Sequence, residues 1–412
     1  MILLYDDAIA RTFEPFATSR PLGEVRAGAL LIRRRWEHLL QTRSWAFVSS
    51  SHLDGFHEFD SPPFLNDAPS GDVWLINTRA IPFLQEIPAA ARILMLSGRV
   101  AAMRVSASPD TASMHALVDA SFALGADQMM SKAHSAPVHT IDGIWLDGVW
   151  DLVGSLPTLL HRDIPALATH LGLTPWHPEP GGAVILGPHP VFIEPGVTIE
   201  PFAVLDTTTG PILVQSGSRV QAFTRVTGPC FIGRHCLITT DRIAGCAIGE
   251  HCRIHGELTA SIVIGHANKS HDGFVGHSVL GRWVNLGAST VTSNLKNTYG
   301  PVSLWTPQGV VTTPLQFLGA LFGDHAKTGI GLRITTGAVI GCGANVTGTQ
   351  APKLVPPFAW GTNVPYESFE VEKFIQTTSR VMARRDCVLS DPERDWWRQV
   401  HSMVQRDMRW QQ

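Results

Sequence analysis

Branched aliphatic residues return every six positions through the middle of this 412-residue chain. They stand at Ile193, Ile199 and Leu205, then at Val214, Val220, Val226, Ile232 and Ile238, then at Ile248 and Ile254, with Leu280, Leu286, Ile340 and Val346 extending the series. Neither a helix of period 3.6 nor a strand of period two produces that spacing. The residue two before each aliphatic is small or slim, as at Ala203, Ser218, Thr224, Cys230, Cys236, Cys246 and Cys252, and both positions are expected to point inward. The residue after it is often Gly or a polar turn former, as at Glu194, Asp206, Gly233, Gly249, Gly281 and Gly287. Such residues suit tight corners between short strands.

Three hexads close a triangular coil of about eighteen residues, and coils stack as parallel strands about 4.8 Å apart. The expected fold is a left-handed parallel β-helix, the hand being taken from the known behaviour of hexapeptide repeats, since right-handed crossovers are otherwise the rule. Chance alternation is the competing explanation, and five consecutive six-spaced aliphatics argue against it. In this register Cys230, Cys236, Cys246 and Cys252 fill inward slots as compact hydrophobes and belong to no catalytic set. Six cysteines in the chain, none in a C-x-x-C pair, also argue against a disulfide scaffold.

Residues 1 to about 150 read differently. Short apolar runs at 2–5, 46–48, 73–76 and 93–95 alternate with stretches such as 28–40 that have helical apolar spacing, which predicts an α/β domain. Helices are expected from 150 to 161, 369 to 385 and 391 to 409, the last with Asp391 as N-cap and Pro392 at the first helical position. The expected organisation is an α/β domain with its linker over 1–182, the β-helix over 183–352 and a helical tail over 353–412. Lys plus Arg total 32 against 35 Asp plus Glu, with no dense basic stretch, so nucleic acid is not an expected partner. No apolar run approaches the roughly 18 residues of a membrane helix, and the N-terminus lacks the basic region of a signal peptide. A soluble, cytoplasmic protein is expected.

The repeat is interrupted at His266-Ala-Asn-Lys269-Ser-His271-Asp272-Gly273, and solenoids often carry function at such interruptions. The run Lys269-Ser-His271-Asp-Gly-Phe274-Val-Gly, followed by Val-Asn285-Leu-Gly-Ala288-Ser-Thr-Val-Thr-Ser-Asn294, resembles the acetyltransferase domain of the bifunctional N-acetylglucosamine-1-phosphate uridyltransferase/glucosamine-1-phosphate acetyltransferase family. Phe13-Glu-Pro-Phe-Ala-Thr-Ser-Arg20-Pro21, Ile76-Asn77-Thr-Arg79, Trp150-Asp151 and Gly323-Asp324-His325-Ala-Lys327-Thr328-Gly329 extend the resemblance to an alternative bacterial branch with a divergent, sugar nucleotidyltransferase-like N-terminal domain.

The resemblance implies acetyl transfer from acetyl-CoA to an amino-sugar 1-phosphate, in a homotrimer with ligand grooves between subunits. An amine attacking a thioester must lose a proton, and His271 matches the family's general base. The backbone at Ala288 and the side chain of Asn294 match positions that stabilise the oxyanion. The resemblance also gives Lys269 the sugar phosphate and Phe274 and Asn285 the sugar, with Phe274 in place of an expected tyrosine. Asp324, His325 and Lys327 are candidates for an anionic ligand, or else members of a structured loop.

Expectations for the N-terminal domain rest on fewer residues. The Gly-rich phosphate loop of the ordinary uridyltransferases is absent after the first strand, where Tyr5-Asp6-Asp7 stands instead. Arg20, Arg26 and Gly28 are candidates to grip phosphates of UTP or another NTP, with Asn77 and Arg79 at a strand end. Asp6, Asp7 and Asp151 are candidate Mg²⁺ ligands. Nucleotidyl transfer to a UDP-sugar and a degenerate N-terminal domain beside a lone acetyltransferase both remain open. Two other readings stand beside them. His266, His271 and His277 invite a zinc site like that of the β-helical carbonic anhydrases, and a noncatalytic assembly module would use none of these side chains.

Overall fold

The structure is a computed structural model that describes residues 1–67, 71–105, 137–362 and 364–410. It divides into two compact units: Met1–Phe13, Ala17–Val25 and Leu30–Asp151 in the first, and Glu14–Phe16, Arg26–Ala29 and Leu152–Gln412 in the second.

The first unit is α/β. Its six-stranded sheet runs in the order Ser44–Val48, Ile2–Tyr5, Val73–Asn77, Arg99–Val105, Ile93–Leu96, Val138–Thr140. Ile2–Tyr5 is parallel to both its neighbours and buried throughout, as its unbroken apolar run requires. Arg99–Val105 pairs antiparallel with both of its own neighbours, a mixed topology that the apolar runs did not announce. The helix Ile32–Leu40 occupies the later part of the 28–40 stretch.

The second unit is a parallel β-solenoid of about ten turns, of the left-handed β-helix type, with C-terminal helices. Its strands form three faces, which share one chain direction because each rung pairs parallel to the next. The predicted columns are the core: Leu205, Val220, Ile232, Ile248 and Ile254 are buried, and Ala203, Cys230, Cys236, Cys246 and Cys252 lie beside them. The coil length varies, however. Phe231 pairs with Ala247 and Ala247 with Ile262, giving coils of sixteen and fifteen residues where eighteen were expected.

One corner of the prism is a column of left-handed residues: His235, His251, His266, Trp283 and His325, with φ between 54° and 62°. A non-glycine residue takes positive φ at some cost, and here the rings stack across coils. Successive centroids lie 4.9, 4.7, 4.5 and 6.1 Å apart, the first three close to the spacing between parallel strands. Phe374 of the helix Val371–Ala383 and Trp397 of the helix Asp391–Arg406 close on His325 edge-on. The last helix is capped by Ser390, not Asp391. Ser390 Oγ accepts from the Glu393 N–H while the Glu393 carboxylate accepts from the Ser390 N–H, which places Pro392 second in the helix. Among the described residues no helix is long and apolar enough to cross a membrane.

Candidate functional site

His271 lies on the corner between the strands Asn268–Lys269 and Val275–Gly276, exposed, and its imidazole makes no hydrogen bond among the described residues. Its backbone is held more firmly. Lys269 sits in register with the core residue Ile254, so its side chain enters the prism, where Nζ donates to the carbonyls of His255 (2.6 Å) and His271 (3.0 Å). Burial pushes this amine down to about 8. At 2 % exposure it is a strut beneath the corner and does not present its charge to an external phosphate, which corrects the expectation for Lys269.

Ala288 occupies the same corner one coil further on, its carbonyl accepting from Gly331 N–H (2.8 Å), and Ser289 Oγ donates to Asp272 across the two coils (2.8 Å). Asn285 stands in an outward-facing column with Asn268 and Lys327, and Arg385 donates to Asn268 Oδ1 (2.6 Å). Asn294 is elsewhere. It lies at the far end of the adjoining face, where Nδ2 donates to Nδ1 of His277 (2.9 Å). Phe274 is with it: a Cβ on Gly276 would fall 2.4 Å from Phe274 Cζ and 2.8 Å from Asn294 Nδ2. His271 and the Asn294–His277 pair thus stand at the two corners that flank the strand Val275–Gly276.

The residues expected to bind an anion at 323–329 are used internally. Asp324, 2 % exposed, accepts from the Arg282 N–H (2.7 Å), and the His325 ring belongs to the aromatic corner. Lys327 Nζ donates to the His325 carbonyl (2.9 Å), and burial lowers this amine also to about 8. For the zinc reading, His266, His271 and His277 fall at three different corners of the prism, so one chain does not converge them, and His266 Nδ1 faces Arg282 Nη1 (3.1 Å). Among the described residues no three His, Cys, Asp or Glu side chains gather as a metal set.

In the first unit the structure does gather Asp6, Asp7, Asn77 and Arg79, at the carboxyl ends of the neighbouring parallel strands Ile2–Tyr5 and Val73–Asn77. Ligands of α/β sheets bind at such an edge. The side chains nevertheless satisfy one another. Arg79 grips both oxygens of Asp7, Nε lying 2.9 and 2.8 Å away, and Asn77 Nδ2 donates to Asp7 at 2.9 Å. Burial alone would raise this carboxyl, but the Arg79 hydrogen bonds and charge outweigh it and hold Asp7 below the usual range. Asp6, 3 % exposed, accepts from Leu22 N–H and from the Ser49 and Thr78 hydroxyls, and its burial raises it. Asp151 accepts from the N–H groups of Asp147 and Gly148. With these oxygens engaged, the three aspartates do not fit as a Mg²⁺ site.

The expected phosphate grips are likewise taken. Arg20 forms a two-pronged pair with Glu58 and is 2 % exposed. Arg26 lies in the second unit, paired with Glu250 (3.3 Å) and facing the Phe231 ring, while Gly28 supplies the left-handed turn that follows (φ 65°). His277 and Phe317 pack beside Asn294, and sequence reasoning assigned neither to transfer chemistry. Nothing in their spacing marks them, because Phe317 returns from an excursion of more than twenty residues.

Residues 2–170 match the family model of sugar nucleotidyl transferases. A stretch of 71 residues is 35% identical to a protein of Methanococcus vannielii described as bifunctional protein GlmU. That stretch spans 17% of this chain and 17% of the GlmU relative. Among solved structures, a mutant of AntD, an N-acyltransferase from Bacillus cereus in complex with dTDP-4-amino-4,6-dideoxyglucose and coenzyme A, aligns over 50% of this chain and 92% of its own at 12% identity, with a TM-score of 0.20. A UDP-N-acetylglucosamine acyltransferase from Arabidopsis aligns over 50% and 79% at 11% identity, with a TM-score of 0.18.

Proposed function

We propose that the β-helix transfers an acetyl group from acetyl-CoA to the amine of an amino-sugar 1-phosphate. The amine nitrogen attacks the thioester carbon, a C–N bond forms and the C–S bond breaks. The proton leaving nitrogen passes to His271 Nε2 or Nδ1 and then to the departing sulfur, which leaves as the free thiol of CoA. The observation that carries the reading is the exposed imidazole of His271 on a corner whose backbone is pinned from within by Lys269.

The separation of His271 from Asn294 supports a reaction centre between two copies of the chain, the His271–Ala288 corner of one facing the Asn294–His277 end of another. A contact of two unlike patches repeats head to tail and forms a ring when its rotation closes, in keeping with the homotrimer that the resemblance implies. Such a site is absent from an isolated chain, so activity should follow the oligomer in analytical ultracentrifugation.

The test is thiol release by the full chain with acetyl-CoA and a panel of amino-sugar phosphates. Glucosamine 1-phosphate should be the best acceptor, and His271→Ala should lower kcat about 100-fold or more. Unchanged rates in His271→Ala would leave an assembly module as the better reading.

The match of residues 2–170 favours a second activity in the first unit, nucleotidyl transfer from UTP to the acetylated sugar phosphate with release of pyrophosphate. It is tested on the full chain with UTP, N-acetylglucosamine 1-phosphate and Mg²⁺. Absence of pyrophosphate would assign the unit a scaffolding role, in line with the closed Asp7–Arg79 pair.

A further inference from the structure

We infer that His277 is the positioning residue of Asn294, orienting that amide as a hydrogen-bond donor to the acyl oxygen; this deepens the acyl-transfer reading and rests on it. An amide nitrogen can only donate, so the 2.9 Å contact makes His277 Nδ1 the acceptor and places the ring proton on Nε2. One N–H of Asn294 is thereby fixed in direction, and the second N–H, coplanar with it, has no partner among the described residues. A planar group held at one donor aims the other, which is what a preorganised oxyanion donor needs.

The pair is fixed by its backbone as well. The chain leaves the prism after Asn294 and returns at Leu318 and Gly319. Leu318 N–H donates to the Asn294 carbonyl (2.9 Å) and Gly319 N–H to the His277 carbonyl (2.8 Å), so both ends of the excursion close on these two residues. Phe317 stacks on the His277 ring, centroids 5.2 Å apart. Gly276 lets the Phe274 ring and the Asn294 amide approach the strand where any Cβ would collide. His277 itself sits at φ 50°, a conformation that asparagine also adopts readily.

Three variants separate positioning from packing. His277→Phe keeps a ring against Phe317 and loses the acceptor. His277→Asn keeps an acceptor, since Oδ1 stands close to where Nδ1 stood, and tolerates the left-handed backbone. Asn294→Ala removes the donor. The expected result is a kcat about 10- to 100-fold lower in His277→Phe, with KM for the amino sugar within about threefold. His277→Asn should restore most of that loss, and His277→Phe/Asn294→Ala should be no worse than Asn294→Ala alone. Losses that multiply in the double variant, or a His277→Asn as poor as His277→Phe, overturn the inference. If His271→Ala abolishes transfer while His277→Phe does not, the acyl-transfer reading stands and this inference falls. A second measurement is independent of activity: in protein with ¹⁵N-labelled imidazoles, His277 should carry its proton on Nε2 at neutral pH. The opposite tautomer overturns the inference even where no acceptor is turned over.

Discussion

Lys269 Nζ joins the carbonyl oxygen of His271 to that of His255 on the preceding coil, an ammonium bridging two turns of the solenoid from inside. Replacement by Met keeps most of the volume and leaves two buried acceptors without a donor. Lys269→Met should therefore lose about 1–3 kcal/mol of stability. The native amine titrates near 8 against 10.5 for the ordinary side chain. Between those values the unfolded chain binds a proton that the folded chain does not, so the unfolding free energy rises with pH across that window. Denaturant midpoints from pH 7 to 10.5 should show that rise weakened in the variant; parallel curves would contradict the placement of the amine.

Arg79 and Asp7 form the corresponding closed pair of the first unit. Arg79→Ala leaves a largely buried carboxylate without its partner and should cost about 3 kcal/mol. Because the folded Asp7 titrates below its unfolded value, its stabilisation is present above about pH 4 and is lost as pH falls through the depressed value. Acid unfolding of the native protein should show this loss and the variant should lack it, which circular dichroism from pH 2 to 7 will read.

The thiol column predicts chemical silence. Cys230, Cys236 and Cys246 are buried and their thiols raised by that burial, Cys246 to about 12. Thiolates are the reactive species, so a thiol reagent at pH 7.5 should reach at most the half-buried Cys387 until the protein is unfolded. Mass spectrometry of the labelled peptides decides it, and rapid labelling at Cys236 or Cys246 in the native protein would be incompatible with the inward register.

Gly276→Ala places a methyl 2.4 Å from Phe274 Cζ and 2.8 Å from Asn294 Nδ2. The ring or the amide must move, an overpacking that should cost about 1–3 kcal/mol. Acetyl transfer should fall with it, while the far-UV circular dichroism spectrum stays that of the wild type. Loss of the folded spectrum together with the rate would indicate general unfolding.

The β-helix was legible because its hexad is local: each aliphatic states its own inward direction, and the columns at Val220, Ile232 and Ile248 fill the core as the spacing predicts. Lys269 shows where that legibility stopped. It stands fifteen residues after Ile254 and shares its inward slot, yet a uniform eighteen-residue coil hides the relation. The mixed pairing of Arg99–Val105 escaped for a similar reason, since strand order depends on distant partners and not on the run itself.

By itself the sequence determined the alternation of α/β unit and solenoid, the inward thiols and the block from Lys269 to Asn294, because periodicity and motif are properties of neighbouring residues. Only the tertiary structure decided which corner each residue occupies. The lengths of the intervening coils set how side chains line up from rung to rung, and the excursion after Asn294 sets what returns beside it. That geometry put His271 and Asn294 at opposite ends of one face, gave Asn294 to His277, and closed Arg79 on Asp7 and Arg20 on Glu58. Buried charges and amides take the partners the fold brings within about 3 Å, and no local pattern specifies them.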